Sequence, residues 1–77
     1  MAKSSRERNK NNLKLFGKRL YELRVQQNMS QEELADRAGV AFTTINRLEN
    51  GGLNTGISTI FDLAKGLGVE PKKLLDF

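Results

Sequence analysis

Apolar residues recur along the chain at three- and four-residue steps, the spacing of helices that each bury one face. Leu13, Phe16, Leu20 and Leu23 set the first such series, with Lys14, Lys18 and Glu22 outside it, and predict a helix over 13–27. Asn12 is a candidate cap for its start, and Asn28 closes it in the left-handed conformation that asparagine tolerates. Gly17 inside this helix costs up to about 1 kcal/mol relative to alanine unless close packing uses it. Ser30 followed by Glu33 forms an S-x-x-E capping box, Met29 packs ahead of it, and Leu34, Ala35 and Ala38 carry a second helix over 31–38. Gly39 breaks the pattern where the chain needs a glycine angle. Ile45 and Leu48 then mark a third helix, starting at Ala41 or Phe42 and stopped by Asn50-Gly51. After a loop over 53–56, with Leu53 turned inward, the apolar set Ile57, Ile60, Phe61, Ala64 and Leu67 predicts a fourth helix ended by Gly68. Pro71 fits the first turn of a last short helix ending in Leu74 and Leu75. The result is an all-α domain of five helices.

The second and third helices are joined by a tight turn, and Ala35 is small where they cross. That is the pattern of a helix-turn-helix, whose second helix enters the DNA major groove. Its outward positions are Phe42, Thr43, Asn46, Arg47 and Asn50, which include side chains suited to base edges and phosphates. Gln31 lies at the amino end of its helix, where unpaired N–H groups and the helix dipole favour a phosphate. The plainer alternative is a helical hairpin with a polar surface.

Charge is uneven. Residues 1–24 hold eight basic and two acidic side chains, a net of +6, and residues 25–77 hold five and seven, a net of −2. A basic front end on a mildly acidic body suits a polyanion. Residues 1–12 have almost nothing to bury and are expected to form a flexible basic arm, leaving 13–77 as the folded domain. The sequence has no cysteine and no histidine, which removes disulfides, thiolate metal sites and the commonest general base. No carboxylate constellation with a matching base stands in for them, so an enzyme, a metal site and a cofactor are all disfavoured. No apolar run is long enough to span a membrane, and the default location is cytoplasmic.

The motifs extend beyond the central pair. Arg24 late in the first helix, Ser30 to Ala35 (S-Q-x-x-L-A), Gly39, Ile45 to Gly51 (I-x-x-L-E-x-G) and Leu63 to Leu75 together resemble the phage-repressor-like regulators of the Cro/C1 type, the XRE family. The resemblance covers about 13–75 and implies a compact five-helix lambda-repressor-like DNA-binding domain. It implies backbone contacts from Gln31, Thr44 and Asn50. Base contacts fall to Phe42, Thr43 and Arg47, with Asn46 at the edge of that face. It also implies a partly buried ion pair between Arg24 and Glu49. Two positions depart from the family pattern: Ala41 and Gly56 stand where relatives often carry a capping serine or threonine.

Relatives bind as two-fold dimers to paired half-sites, so the expected partners are double-stranded DNA, a palindromic operator and a second copy of the chain. Leu74, Leu75 and Phe77, with the outer face of the fourth helix, are the candidate dimer surface; their plainer role is to finish the monomer core. The expected function is a sequence-specific DNA-binding transcriptional regulator, a repressor of the phage or plasmid type or a restriction–modification controller. The competing reading is a protein-interaction module such as the antitoxin of a toxin pair.

Overall fold

The computed structural model describes residues 5–77. Five helices follow one another: α1 (Ser5–Gln26), α2 (Gln31–Ala38), α3 (Phe42–Glu49), α4 (Ile57–Leu67) and α5 (Pro71–Leu74), with no strand among the described residues. No helix is long and apolar enough to cross a membrane among those residues.

The first helix differs most from expectation. It begins at Ser5, so Asn12 is an interior residue and not a cap, and the boundary expected after residue 12 falls inside α1. Residues 1–4 of the expected arm lie outside the described residues. Residues 5–12 bury nothing, yet extending a helix already nucleated by the packed turns costs little, one hydrogen bond being gained per residue fixed. Arg8 also donates to Ser5 Oγ at 3.2 Å across one turn.

The turns follow their residue types. Asn28 takes φ 55° after α1, and Gly39 and Gly68 take φ 70° and 69° at the ends of α2 and α4. Ser30 Oγ accepts the Glu33 N–H at 3.0 Å, but the capping box is one-sided, because the Glu33 carboxylate accepts from Arg37 at 2.9 Å. Neither Ala41 nor Gly56 supplies a side-chain cap to the helix that follows it.

Leu20, Leu34, Ile45, Leu48, Leu63 and Leu74 fill the centre. Gly17 lets α1 meet the carboxyl end of α3: a Cβ there would strike the Leu48 carbonyl and stand 2.9 Å from the Glu49 carbonyl oxygen. Gly66 does the same for α4 against α2, where a Cβ would stand 2.9 Å from that of Ala38. Two side-chain N–H donors close helix ends from a distance, the Gln27 amide Nε2 donating to the Leu67 carbonyl at 2.6 Å and the Arg19 guanidinium Nε to that of Lys73 at 2.8 Å.

The inward face of α4 is corrected. Ile60, Leu63, Ala64 and Leu67, at the i, i+3, i+4, i+7 positions, turn to the core, and this leaves Ile57 and Phe61 on the outside, 62% and 55% exposed. Leu74 is also corrected. It is wholly buried and completes the monomer core, so it offers nothing to a second copy, whereas Leu75 and Phe77 are exposed.

Candidate nucleic-acid interface

Ile45 and Leu48 pin α3 to the core, and its remaining positions divide into two stripes. Thr43, Arg47 and Asn50, at i, i+4 and i+7, form an exposed crest. Phe42, Asn46 and Glu49, at the same spacing, form the flank that faces α2 and α1 at its inner end. Thr44 is half-buried on the other side. Arg47 is exposed, and among the described residues neither Asp36 nor Glu49 pairs with it, so its guanidinium is available to a ligand. Phe42 keeps 45% of its surface exposed beside the turn. At the amino end of α3 the backbone N–H groups lack a side-chain cap, which leaves them open to an anion.

Beneath the flank lies the ion pair expected from the sequence. Arg24 Nε and one terminal nitrogen donate to the two oxygens of Glu49 at 2.6 and 2.9 Å, and the side chains are only 11% and 5% exposed. Arg24 also donates to the Met29 carbonyl at 2.7 Å and lies over the Tyr21 ring, 5.3 Å from its centroid. One arginine thereby ties α1 to the turn before α2 and to the end of α3. Its hydrogen bond to Glu49 holds the guanidinium pKa above its ordinary value, against the opposing pull of burial.

The contacts that sequence reasoning missed start from the same carboxylate. Gln31 Nε2 donates to Glu49 Oε1 at 2.9 Å, Asn46 Nδ2 to Gln31 Oε1 at 3.3 Å, and Asn50 Nδ2 to Asn46 Oδ1 at 3.3 Å. The only local signal for them is the four-residue step from Asn46 to Asn50; the link to Gln31 depends on how α2 and α3 cross.

Arg6, Lys10 and Lys14 continue the basic surface, spaced at four-residue steps along an exposed face of α1. That face reaches the end of α3, since a Cβ on Gly51 would stand 3.1 Å from Lys14 Cγ. Leu75 and Phe77 border an apolar cleft with Leu13, Leu53 and Ile60, between the middle of α1 and the loop after α3.

This arrangement, a capped helix, a left-handed glycine turn and a second helix with an exposed polar crest, defines a helix-turn-helix protein. A model of the Helix-turn-helix family matches residues 20–74, and the chain belongs to that family. It is a DNA-binding transcriptional regulator by class. Among curated proteins it is 42% identical over 69 residues to "Control protein C.BamHI" of Bacillus amyloliquefaciens, covering 87% of this chain and 85% of that one. The crystal structure of the restriction-modification controller protein C.AhdI from Aeromonas hydrophila superposes with a TM-score of 0.81 at 38% identity, over 83% of this chain and 97% of that chain. The hypothetical transcription factor NHTF from Neisseria gives 0.80 at 30% identity, over 87% and 77%.

Proposed function

We propose that the chain is the controller protein of a restriction–modification system, acting in the cytoplasm as a homodimer on a palindromic operator. The observation that carries this reading is the similarity to a control protein along nearly the full length of both chains. In this reading α3 enters the major groove. Arg47 offers two parallel N–H donors to guanine O6 and N7, a contact worth about 1–3 kcal/mol of discrimination. Thr43, one turn away, reaches the neighbouring base, and Phe42 meets a thymine methyl. Gln31, Thr44 and Asn50 hold phosphates, and the Arg6–Lys10–Lys14 stripe adds charge along the flanking backbone. Ile57, Phe61, Leu75 and Phe77 are the exposed apolar groups from which a two-fold contact would be built.

Selection of binding sites from a random duplex pool tests this. A palindromic consensus with half-sites about one helical turn apart, matching sequences ahead of a restriction endonuclease or methyltransferase gene, supports it. A consensus found only ahead of unrelated genes makes the chain a regulator of another kind. Enrichment of no sequence, with capture of one protein partner, favours the interaction-module reading.

A further inference from the structure

Glu49 gives direction to the amide chain above it. An ionised carboxylate only accepts hydrogen bonds, so Gln31 must turn its NH2 group towards Glu49 and its carbonyl oxygen away. That oxygen in turn requires the NH2 of Asn46, and the Asn46 oxygen requires the NH2 of Asn50. All three carboxamides therefore point nitrogen inward and oxygen outward. The bonds lengthen from 2.9 Å at the carboxylate to 3.3 Å beyond it, as expected when charge assistance is confined to the first link.

The bonding capacity of Asn46 follows from this. To read an adenine in the bidentate manner, an asparagine must aim both its Nδ2 and its Oδ1 at the base. In Asn46 each atom already spends one bond within the protein, Nδ2 on Gln31 and Oδ1 on Asn50, which fixes the amide plane, and the residue lies on the flank stripe with Glu49, not on the crest with Thr43 and Arg47. Gln31 Nε2, by contrast, spends one N–H on Glu49 and has a second for a phosphate oxygen.

The geometry points to Asn46 as a positioning residue. It locks the carboxamide of Gln31, and through it orders the phosphate anchor before DNA arrives, without reading a base itself. Glu49 is the fixed end of this relay, in addition to its ion pair with Arg24. This inference rests on the DNA-binding reading above but has consequences in the free protein as well.

Asn46 is half-buried and is not a member of the hydrophobic core, so Asn46→Ala is expected to keep its fold, as thermal unfolding will show. In the DNA-free protein, nitrogen-15 spectra should show the Gln31 side-chain amide signals shifted and more mobile in Asn46→Ala, since the carbonyl oxygen loses its donor while the NH2 group keeps Glu49. Unmoved signals overturn the relay whatever happens with DNA. On the selected operator, Asn46→Ala should weaken every single-base variant of the site by the same factor, about threefold to tenfold for one lost hydrogen bond. Gln31→Ala should weaken it likewise, and the double variant should be no weaker than the worse single one, because both remove one device. Relaxed preference at one base pair in Asn46→Ala, or fully additive losses, makes Asn46 a base reader and overturns the proposal. If the wild-type chain selects no operator, the DNA reading fails while the amide spectra still decide the relay.

Discussion

Arg24 and Glu49, 25 positions apart in sequence, meet through two hydrogen bonds in a place that water scarcely reaches. The pair joins the long first helix to the carboxyl end of α3, so the helix that carries Arg47 is held from below by charge and from the side by Leu48. Removing one partner leaves the other charged and buried, a loss of about 3–5 kcal/mol against the 0–1 kcal/mol of an exposed pair. Glu49→Ala and Arg24→Ala should each lower stability by about that amount, measured by urea unfolding. A melting curve unchanged in either would show the pair to be idle. The pH dependence has a defined sign. The folded pKa of Arg24 is raised, so its contribution is complete below the ordinary guanidinium range and is lost only as pH climbs through the folded value in strong base. Titration from neutral to mildly alkaline solution should leave the Arg24 contribution intact.

Gly17 tests the same junction sterically. Alanine is the better helix former by about 1 kcal/mol, and on helix propensity alone Gly17→Ala stabilises. The added methyl, however, meets the carbonyls of Leu48 and Glu49, which are backbone atoms and cannot rotate aside. We expect a net loss of about 1–3 kcal/mol, a fall in Tm of several degrees for a domain of this size, and weaker operator binding as α3 is displaced. A gain in Tm would mean that α1 and α3 part easily.

Much of this was legible because local signals and packing agree. Ser30, Asn28, Gly39 and Gly68 announce helix ends through their own conformational preferences, and each does what its residue type favours. Arg24 and Glu49 were legible only through a motif, since nothing in the sequence between them predicts their meeting. The face of α4 was misread because Ile57 and Phe61 are as hydrophobic as the residues that are buried; hydrophobicity alone does not rank Phe61 below Leu63 when a stripe is wide enough to hold either. The start of α1 was misread for a different reason. Polar residues that bury nothing look like a disordered arm by composition, although they extend a helix cheaply once it exists. The Gln31–Asn46 bond was illegible, being a product of the crossing of two helices.

Ala41 offers a gain. Its backbone, at φ −68° and ψ 145°, already has the extended geometry of a helix cap, close to that of Ser30, and lacks only the oxygen. Ala41→Ser should stabilise the domain by about 0.5–1 kcal/mol, read as a higher urea midpoint with unchanged slope. No shift would mean that water already serves those N–H groups as well as a hydroxyl does.

The exposed apolar groups separate dimerisation from folding. Phe61→Glu and Leu75→Glu place charges on side chains that are 55% and 50% exposed, and should leave the monomer folded while shifting sedimentation towards it at micromolar concentration. Leu74→Glu puts a charge in the core and should unfold the chain. Unaltered sedimentation in both surface variants would move the two-fold contact elsewhere.

The basic stripe on α1 can be tested by position rather than by charge count. Arg6, Lys10 and Lys14 share one face at four-residue steps, whereas Arg8, two residues from both Arg6 and Lys10, faces elsewhere. Replacing each by glutamine removes the same charge, so a long-range field would weaken all four variants alike. Direct phosphate contact behaves differently. Each lost contact flattens the dependence of log affinity on log salt by about 0.9, so the triple variant Arg6→Gln, Lys10→Gln, Lys14→Gln should lower the slope by nearly three, uniformly across operator sequences. Arg8→Gln should leave it where it was. Equal slopes for the stripe variant and the wild-type chain would confine the DNA contact to α2, α3 and the turn between them.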